Sequence, residues 1–243
     1  MRYAVLGDVH TNLEALEAVV ELLRSRDVDA WLQLGDVVGY GADPGPCIRV
    51  LRDLDARIVA GNHDWAVIGM LDLGCFNPAA RAAVEWTRGV ISQEETRWLE
   101  SLPLRTVVDT DITLVHATPH QPELFEYIFS FEDAELAFAE FSTRLCFIGH
   151  SHVPMALELK PGGVLEAGPA DRILLQESQQ ALINVGSVGQ PRDGDPRAAC
   201  GIYDDATGVF ELLRVPYDVG RAAAKIREAG LPAILANRIF VGE

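Results

Sequence analysis

Short apolar runs alternate with helical patterns through the first third of the chain. Three runs rich in valine, isoleucine and leucine have the sequences RYAVL, AWLQL and ARIVA. Between the first two runs, Asn12 is a candidate N-cap for a helix whose apolar residues recur on one face, namely Leu13, Leu16, Val20 and Leu23. Strands that alternate with helices in this way predict βαβ units and a largely parallel sheet.

The middle of the chain is predicted to be mainly helical and then to return to strands. Helical patterns extend from 64 to 102, and Asn77 and Ser92 have the sequence context of helix starts. The segments LRTVV and ITLVH then predict a hairpin. A helix follows from about 131 to 141 with Ser130 as its candidate N-cap, and LCFIG predicts a further strand.

The pattern changes after His152 to short strands separated by glycine, proline and aspartate turns. These strands are predicted at 155–159, 182–185, 199–203 and 209–215. They predict a second, more antiparallel sheet, and a terminal helix follows with Gly230 as its C′ residue. The elements together predict an α/β fold, a four-layer αββα sandwich of two mixed β-sheets flanked by helices.

Length and composition agree with an ordinary globular protein. The chain has 243 residues, of which 49% are apolar and 23% are charged. We predict one domain over residues 1–243, with the helical segment at about 65–102 as a candidate lid-like insertion.

The charge balance limits the classes of partner. Lysine and arginine number 20 against 36 acidic residues, which gives a net charge of −16. Such a surface repels nucleic-acid backbones and anionic lipid, so we predict no general nucleic-acid binding. No stretch approaches the length of an apolar membrane span, and the four cysteines lack a C-x-x-C spacing. We therefore expect a cytoplasmic protein with reduced thiols that does not enter the membrane.

Candidate metal ligands follow five of the apolar runs. Four of these runs have a glycine just before the first polar residue, and the polar residues are Asp8 and His10, Asp36, Asn62 and His63, His116, and finally His150 and His152. Carboxyl ends of strands in an open α/β sheet lie at one edge, so we expect one shared site. Imidazoles mixed with carboxylates favour Mn, Fe, Co, Ni or Zn over Ca or Mg, and there are enough ligands for two ions.

These residues resemble the motifs of the calcineurin-like metallophosphoesterases. The chain has GDVH at 7–10, GD at 35–36, GNHD at 61–64, a histidine at 116 and GHSH at 149–152, in the family's order. The segment NVGSVGQPRDGDPRA is similar to a loop of a bacterial phosphodiesterase-like subgroup. The resemblance implies a metal-dependent hydrolase of small-molecule phosphoesters.

The resemblance also implies a role for each residue. One divalent ion would be held by Asp8, His10, Asp36 and His152, and the other by Asp36, Asn62, His116 and His150. A hydroxide bridging the two metals would attack phosphorus, His63 would protonate the leaving oxygen as general acid, and Asp64 would orient His63. Residues two apart in extended chain point the same way, which would let His150 and His152 serve neighbouring ions. Manganese is among the expected metals.

One departure from the family pattern decides between reaction types. Phosphoprotein phosphatases of this superfamily have an aspartate and an arginine shortly after the second motif, where this chain reads GDVVGYG. We therefore expect a phosphodiesterase, with a phosphoprotein phosphatase or a non-catalytic metal-binding scaffold as alternatives. The loop GQPRDGDPR either contacts substrate through Arg192 and Arg197 or forms a salt-bridged double turn, and the sequence leaves both interpretations open.

Overall fold

The predicted strands and helices form two mixed sheets with helices on their outer faces. The computed structural model describes residues 1–176 and 179–243. Its strands are β1 Arg2–Leu6, β2 Ala30–Gln33, β3 Arg57–Ile58, β4 Arg105–Val108, β5 Ile112–Val115, β6 Leu145–Ile148, β7 Met155–Lys160, β8 Val164–Gly168, β9 Arg172–Leu174, β10 Gln180–Asn184, β11 Ala198–Asp204 and β12 Val209–Val215. Its helices are α1 Leu13–Arg24, α2 Pro44–Asp53, α3 Asn62–Val67, α4 Pro78–Val90, α5 Gln93–Glu100, α6 Phe131–Ala139, α7 Val219–Glu228 and α8 Ala233–Arg238.

Each sheet has six strands, of which three neighbouring strands are parallel. The first sheet has the order β3-β2-β1-β11-β12-β9, and β1, β2 and β3 are parallel. The second has the order β4-β5-β6-β10-β7-β8, and β5, β6 and β10 are parallel. The two mixed sheets with flanking helices confirm the predicted fold class.

The strands after His152 do not form a sheet of their own, so that prediction was wrong. Strands β7, β8 and β10 complete the second sheet, whereas β9, β11 and β12 complete the first. The alternation of apolar residues identifies a strand but carries no information about its neighbour. The partner of β11 is β1, which lies at the other end of the sequence.

The main core lies between the sheets and follows the period of two along each strand. Tyr3 and Val5 of β1 are buried against the second sheet, while Ala4 and Leu6 are buried against helices on the outer face. Between the sheets, the Phe147 ring of β6 lies 5.5 Å from the Phe210 ring and 6.1 Å from the Tyr203 ring, centroid to centroid.

Helices α3, α4 and α5 make up most of the predicted helical segment. Asn77 caps α4, and Ser92 caps α5 with the predicted capping box to Glu95. Val84 of α4 and Leu99 of α5 are buried in the same core as the first helix. The single domain and its lid-like insertion remain predictions.

The C-terminal segment adds a helix pair. Gly230 ends α7 with a φ of 72°, as predicted, and α8 follows at once. Sequence patterns missed α8, β8 and β9, which are short elements of three to six residues. Cys47, Cys146 and Cys200 are buried as thiols, whereas Cys75 is exposed. In the part of the chain that the structure describes, no helix combines the length and hydropathy needed to cross a bilayer.

The aromatic contact between the sheets gives a stability prediction. Phe147→Ala is expected to lower the free energy of unfolding by roughly 3–5 kcal/mol, because it leaves a cavity between two packed layers. The matched control is Phe129→Ala, since the Phe129 side chain is 85% exposed, and its expected effect is within about 0.5 kcal/mol. Urea denaturation of the three proteins measures both values, and equal midpoints for wild type and Phe147→Ala would contradict the prediction.

Candidate metal centre

The carboxyl ends of the parallel strands from both sheets meet at one edge. Asp8 follows β1, Asp36 follows β2, and Asn62 begins α3 after β3. His116 follows β5, and the loop with His150 and His152 follows β6. Each polar side chain in this set is buried except that of Asn62, which is partly buried. The structure thus brings together the seven side chains that were predicted as metal ligands.

One group of donor atoms contains Asp8, His10, Asp36 and His152. A ligand atom from each of the four lies within 4.8 Å of the other three. His152 Nε2 lies 3.4 Å from Asp8 Oδ1, and His10 Nε2 lies 3.5 Å from Asp36 Oδ2. The two ring nitrogens, His10 Nε2 and His152 Nε2, are 3.1 Å apart.

The second group contains Asp36, His116 and His150, with Asn62 beside them. His116 Nε2 lies 3.4 Å from Asp36 Oδ2 and 3.1 Å from His150 Nδ1. It is also 3.1 Å from Asn62 Oδ1, which places the amide oxygen in the same cluster. Asp36 belongs to both groups and lies between them.

The backbone around these residues is unusually constrained. Among the residues that the structure describes, twelve non-glycine residues have positive φ, and six of them are at this edge, namely His10, Thr11, Asp36, Tyr40, His150 and His152. The values of 66° at His150 and 62° at His152 correct the expectation that this stretch is extended. The left-handed bends send His150 to the second group and His152 to the first.

Two of the predicted glycines are required by close approach. A Cβ atom at Gly61 would overlap the Asp36 carboxylate, and one at Gly149 would lie 2.6 Å from Asp8 Oδ2. The absence of a Cβ lets each carboxylate approach the backbone closely and accept a hydrogen bond there. The His150 N–H donates to Asp8 Oδ1 at 3.1 Å, and the His63 N–H donates to Asp36 Oδ1 at 2.8 Å. A methyl group at either glycine would displace a carboxylate.

The loop after β10 supports the centre, although its residue types predict this role only weakly. Ser187 Oγ donates to the Asp8 carbonyl at 2.8 Å, and the Gly189 N–H donates to the same oxygen at 2.9 Å. The Gln190 carbonyl accepts from His152 Nδ1 at 2.6 Å. The signal in NVGSVGQPR is its glycine and serine content, which is common to many turns.

His63 and Asp64 occupy different environments. The His63 ring packs against the rings of Tyr40 and Phe76, with centroid separations of 4.4 Å and 5.0 Å. Both Asp64 oxygens accept backbone N–H groups, from Val38 at 3.1 Å and from Gly61 at 2.9 Å. Among the described residues, His63 Nδ1 has no hydrogen-bond partner. Asp64 therefore does not hydrogen-bond to the ring, contrary to the expectation that it orients His63. The Asp64 carboxylate therefore links the backbone after Asp36 to the backbone before Asn62.

A cavity of about 310 Å³ opens beside both donor groups. Asp36, Asn62, His63, His150 and His152 lie on its inner wall. Its outer wall includes aromatic side chains and two arginines, namely Tyr40, Phe76, Phe125, Tyr127, Arg192 and Arg238. This volume falls in the range of small-molecule sites. The cavity is larger than a phosphate group alone requires.

Burial and mutual charge set the protonation of the centre. Burial lowers the pKa of His10 and His152 well below the ordinary value, and that of His150 to about 3. Burial also acts to lower the pKa of His116, but the charges of Asp36 and Asp8 outweigh it and raise this pKa to about 9. Most of the imidazoles are therefore neutral, which is the form that binds metals.

The buried carboxyl groups have divergent pKa values for the same reasons. Burial raises the pKa of Asp8 to about 7 and that of Asp64 to about 7. Burial opposes ionisation of Asp36 as well, but the neighbouring His116 and His63 hold its pKa well below its usual range. Burial lowers the pKa of His63 to about 4.

Tautomers of three histidines fit the donor set to a cation. Their Nδ1 atoms donate to backbone carbonyls, His10 to Val38 at 3.0 Å, His116 to Leu34 at 2.7 Å and His152 to Gln190 at 2.6 Å. A carbonyl only accepts, so in the neutral form of each ring the lone pair is on Nε2, and all three Nε2 atoms face Asp8 or Asp36. The two groups therefore have the composition and orientation of ligands for two divalent ions.

Comparisons with known proteins agree with this geometry. Residues 1–206 match the family model of the calcineurin-like phosphoesterase superfamily domain. The chain is 40% identical over 243 residues to an uncharacterized protein of Methanocaldococcus jannaschii, across 98% of this chain and 97% of that protein. The crystal structure of a metallophosphoesterase from Sphaerobacter thermophilus has a TM-score of 0.86 and 42% identity, covering 100% of this chain and 99% of that one.

A second solved structure has the same fold at much lower sequence identity. The crystal structure of a hypothetical protein from Pyrococcus horikoshii OT3 has a TM-score of 0.81 at 17% identity. It covers 100% of this chain and 98% of its own.

Metal content tests the shared position of Asp36. Protein purified without chelator is expected to contain close to two divalent ions per chain, and Asp36→Asn is expected to lose both, because this carboxylate belongs to both groups. Asp27→Asn is the matched control, since Asp27 has the same φ of 52° as Asp36 but is exposed. Elemental analysis gives the counts, and an Asp36→Asn protein with unchanged metal content would contradict the assignment.

Proposed function

We propose, from the premise that the chain belongs to the calcineurin-like phosphoesterase superfamily, that this metal-dependent phosphoesterase is a phosphodiesterase acting on a soluble small molecule. The observation that carries the proposal is the pair of buried donor groups that share Asp36 at the inner wall of a 310 Å³ cavity. A cavity of this volume accepts a group on either side of a phosphate.

The assignment of ligands follows the two groups. Asp8, His10, Asp36 and His152 would hold one ion, and Asp36, Asn62, His116 and His150 would hold the other. Two divalent ions, when bound, supply positive charge for the phosphate and lower the pKa of a water molecule. Manganese is the metal we expect to support activity, because the ligands are nitrogen and oxygen donors without a thiolate.

His63 is the proposed general acid. It lies in the cavity wall directly after Asn62, and Tyr40 and Phe76 hold its ring between them. As the oxygen of a water molecule that has lost one proton to solvent bonds to phosphorus, the phosphorus–oxygen bond to the leaving alcohol breaks, and its electron pair stays on that oxygen. His63 donates a proton to this oxygen, which gives an alcohol and a phosphomonoester. Negative charge on the bound substrate favours the protonated ring.

The segment after Asp36 supports a diesterase over a phosphoprotein phosphatase. The Val38 carbonyl accepts from His10 Nδ1, and the Val38 N–H donates to Asp64. Gly39, with a φ of 96°, lies against the His63 ring, where any Cβ would overlap Nδ1. This segment therefore positions two histidines through its backbone, and its apolar side chains offer no charge to a phosphate. Arg192, in the cavity wall from another loop, is the candidate substrate contact.

Loss of the general acid should depend on the leaving group. His63→Ala is expected to lower turnover of a dinucleoside monophosphate, which has an alkoxide leaving group, by roughly 10²- to 10⁴-fold. The loss should be much smaller for bis(p-nitrophenyl) phosphate, because p-nitrophenolate leaves without a proton. Steady-state rates and metal content of the same preparations measure the effect.

The control for this variant is His120→Ala. His120 is a partly exposed histidine whose ring lies 3.4 Å from Glu140, outside the cavity lining, so both substrates should be hydrolysed at the wild-type rate. Equal losses on both substrates, or loss of bound metal in His63→Ala, would show that His63 has a different role.

A substrate panel separates the three candidate functions. With Mn²⁺ present, we expect the wild-type protein to hydrolyse diesters faster than phosphopeptides. Faster release of phosphate from phosphopeptides would establish a phosphoprotein phosphatase. Protein that holds two ions and hydrolyses no phosphoester, including cyclic nucleotides and dinucleoside polyphosphates, would establish a non-catalytic scaffold.

A further inference from the structure

Two arginines, Arg192 and Arg238, line the cavity that also contains the donor groups. Arg192 comes from the loop after β10, and Arg238 is the last residue of α8. Both side chains are partly buried. Arg238 lies outside the family match at residues 1–206, so the C-terminal segment adds a charge that the family model does not include.

Arg192 is close to the metal centre and is held in place by it. Its N–H donates to the His152 carbonyl at 3.3 Å, and Nη2 donates to Gln190 Oε1 at 2.9 Å and to Tyr40 Oη at 3.3 Å. Its guanidinium carbon lies 5.6 Å from the centroid of the Tyr40 ring. The Tyr40 ring in turn lies 4.5 Å from the His10 ring and 4.4 Å from the His63 ring. One aromatic ring therefore separates the guanidinium from the reacting groups.

Arg238 reaches the same wall because α8 is anchored in the core. Leu235, Ala236 and Ile239 are buried in one cluster with Tyr40 and Ala80. Arg238 Nε donates to the main-chain oxygen of Glu243. Burial and the charge of Arg192 lower the pKa of Arg238, against the opposing charges of Tyr40 and Glu243.

Arg192 lacks the counter-charge that several other basic residues have. Arg197 pairs with Asp195, Arg214 with Asp193, and Lys225 with both Glu14 and Asp43. Within residues 1–176 and 179–243, no side-chain carboxylate oxygen lies within 4.0 Å of a nitrogen of Arg192 or Arg238, and the counter-charge that acts on Arg238 is that of Glu243. Arg192 Nε is also buried without a partner there. In a chain with a net charge of −16, two arginines in the wall of one cavity form a site for an anion.

We propose that Arg192 and Arg238 form a second anion subsite, which binds a phosphate group of the substrate other than the one that is cleaved. The proposal rests on the proposed function and narrows it to substrates with at least two phosphate groups. Guanidinium groups match phosphate oxygens through paired N–H donors, and the cavity is large enough to contain both phosphates. The pair acts on substrate selection, while the strand-end residues act on the bond that breaks.

Calorimetric binding of two probes to Mn²⁺-loaded protein tests the subsite without turnover. The probes are AMP, with one phosphate, and α,β-methylene-ADP, with a second phosphate on a stable linkage. Wild-type protein is expected to bind α,β-methylene-ADP at least about tenfold more tightly than AMP. Arg192→Gln and Arg238→Gln are each expected to weaken binding of α,β-methylene-ADP by roughly 10- to 100-fold, and binding of AMP by much less.

Matched variants keep this test decisive. Arg197→Gln removes an exposed arginine of the same loop that pairs with Asp195, and it should bind both probes as wild type does. Arg238→Lys keeps the charge if Arg238→Gln does not fold, and it should lose a smaller factor for α,β-methylene-ADP. Equal affinity of wild type for the two probes, or equal losses on both in the variants, would overturn the proposal. If the affinities follow the proposal but no phosphoester is hydrolysed, the subsite stands and the phosphodiesterase assignment fails.

Discussion

The structure depends on burying two carboxylates, Asp8 and Asp36, at the junction of two sheets. A buried negative charge is unfavourable unless it is compensated, so the surrounding atoms are arranged for compensation. Backbone N–H groups of His63 and His150 donate to the carboxylates, and imidazole nitrogens surround them. The raised pKa of His116 shows how strongly this position favours positive charge. A pair of divalent cations would meet the same demand with more charge, so metal binding would stabilise the folded chain.

The strand-end ligands could be predicted from the sequence because each follows a strongly apolar run and most follow a glycine. Parallel strands place their carboxyl ends at one edge, so topology converts five separate positions into one cluster. The partners of the later strands could not be predicted in this way, since β11 joins β1 and β10 joins β6 across long stretches of chain. The left-handed bends at His150 and His152 also leave no pattern in side-chain hydropathy.

The residues that hold the ligands were harder to predict than the ligands. Ser187, Gly189 and Gln190 act through hydrogen bonds to the backbone of Asp8 and to the ring of His152. Such contacts need only a suitable backbone path, so the residue types give little signal. Asp64 illustrates the opposite case, in which a chemically suggestive residue beside His63 bonds to Val38 and Gly61 instead.

Metal binding and the proposed selection of substrate depend on different parts of the chain, because Arg238 is on the C-terminal helix α8. Every predicted metal ligand lies before residue 153, whereas Arg238 stands near the far end on a helix fixed by Leu235 and Ile239. On the proposed subsite, replacing Arg238 changes which molecules bind, whereas replacing the buried Leu235 or Ile239 also disturbs Tyr40 and the His63 ring against it. Substrate specificity can therefore change during evolution through substitutions in a short C-terminal segment, and protein engineers can exchange the same segment between relatives.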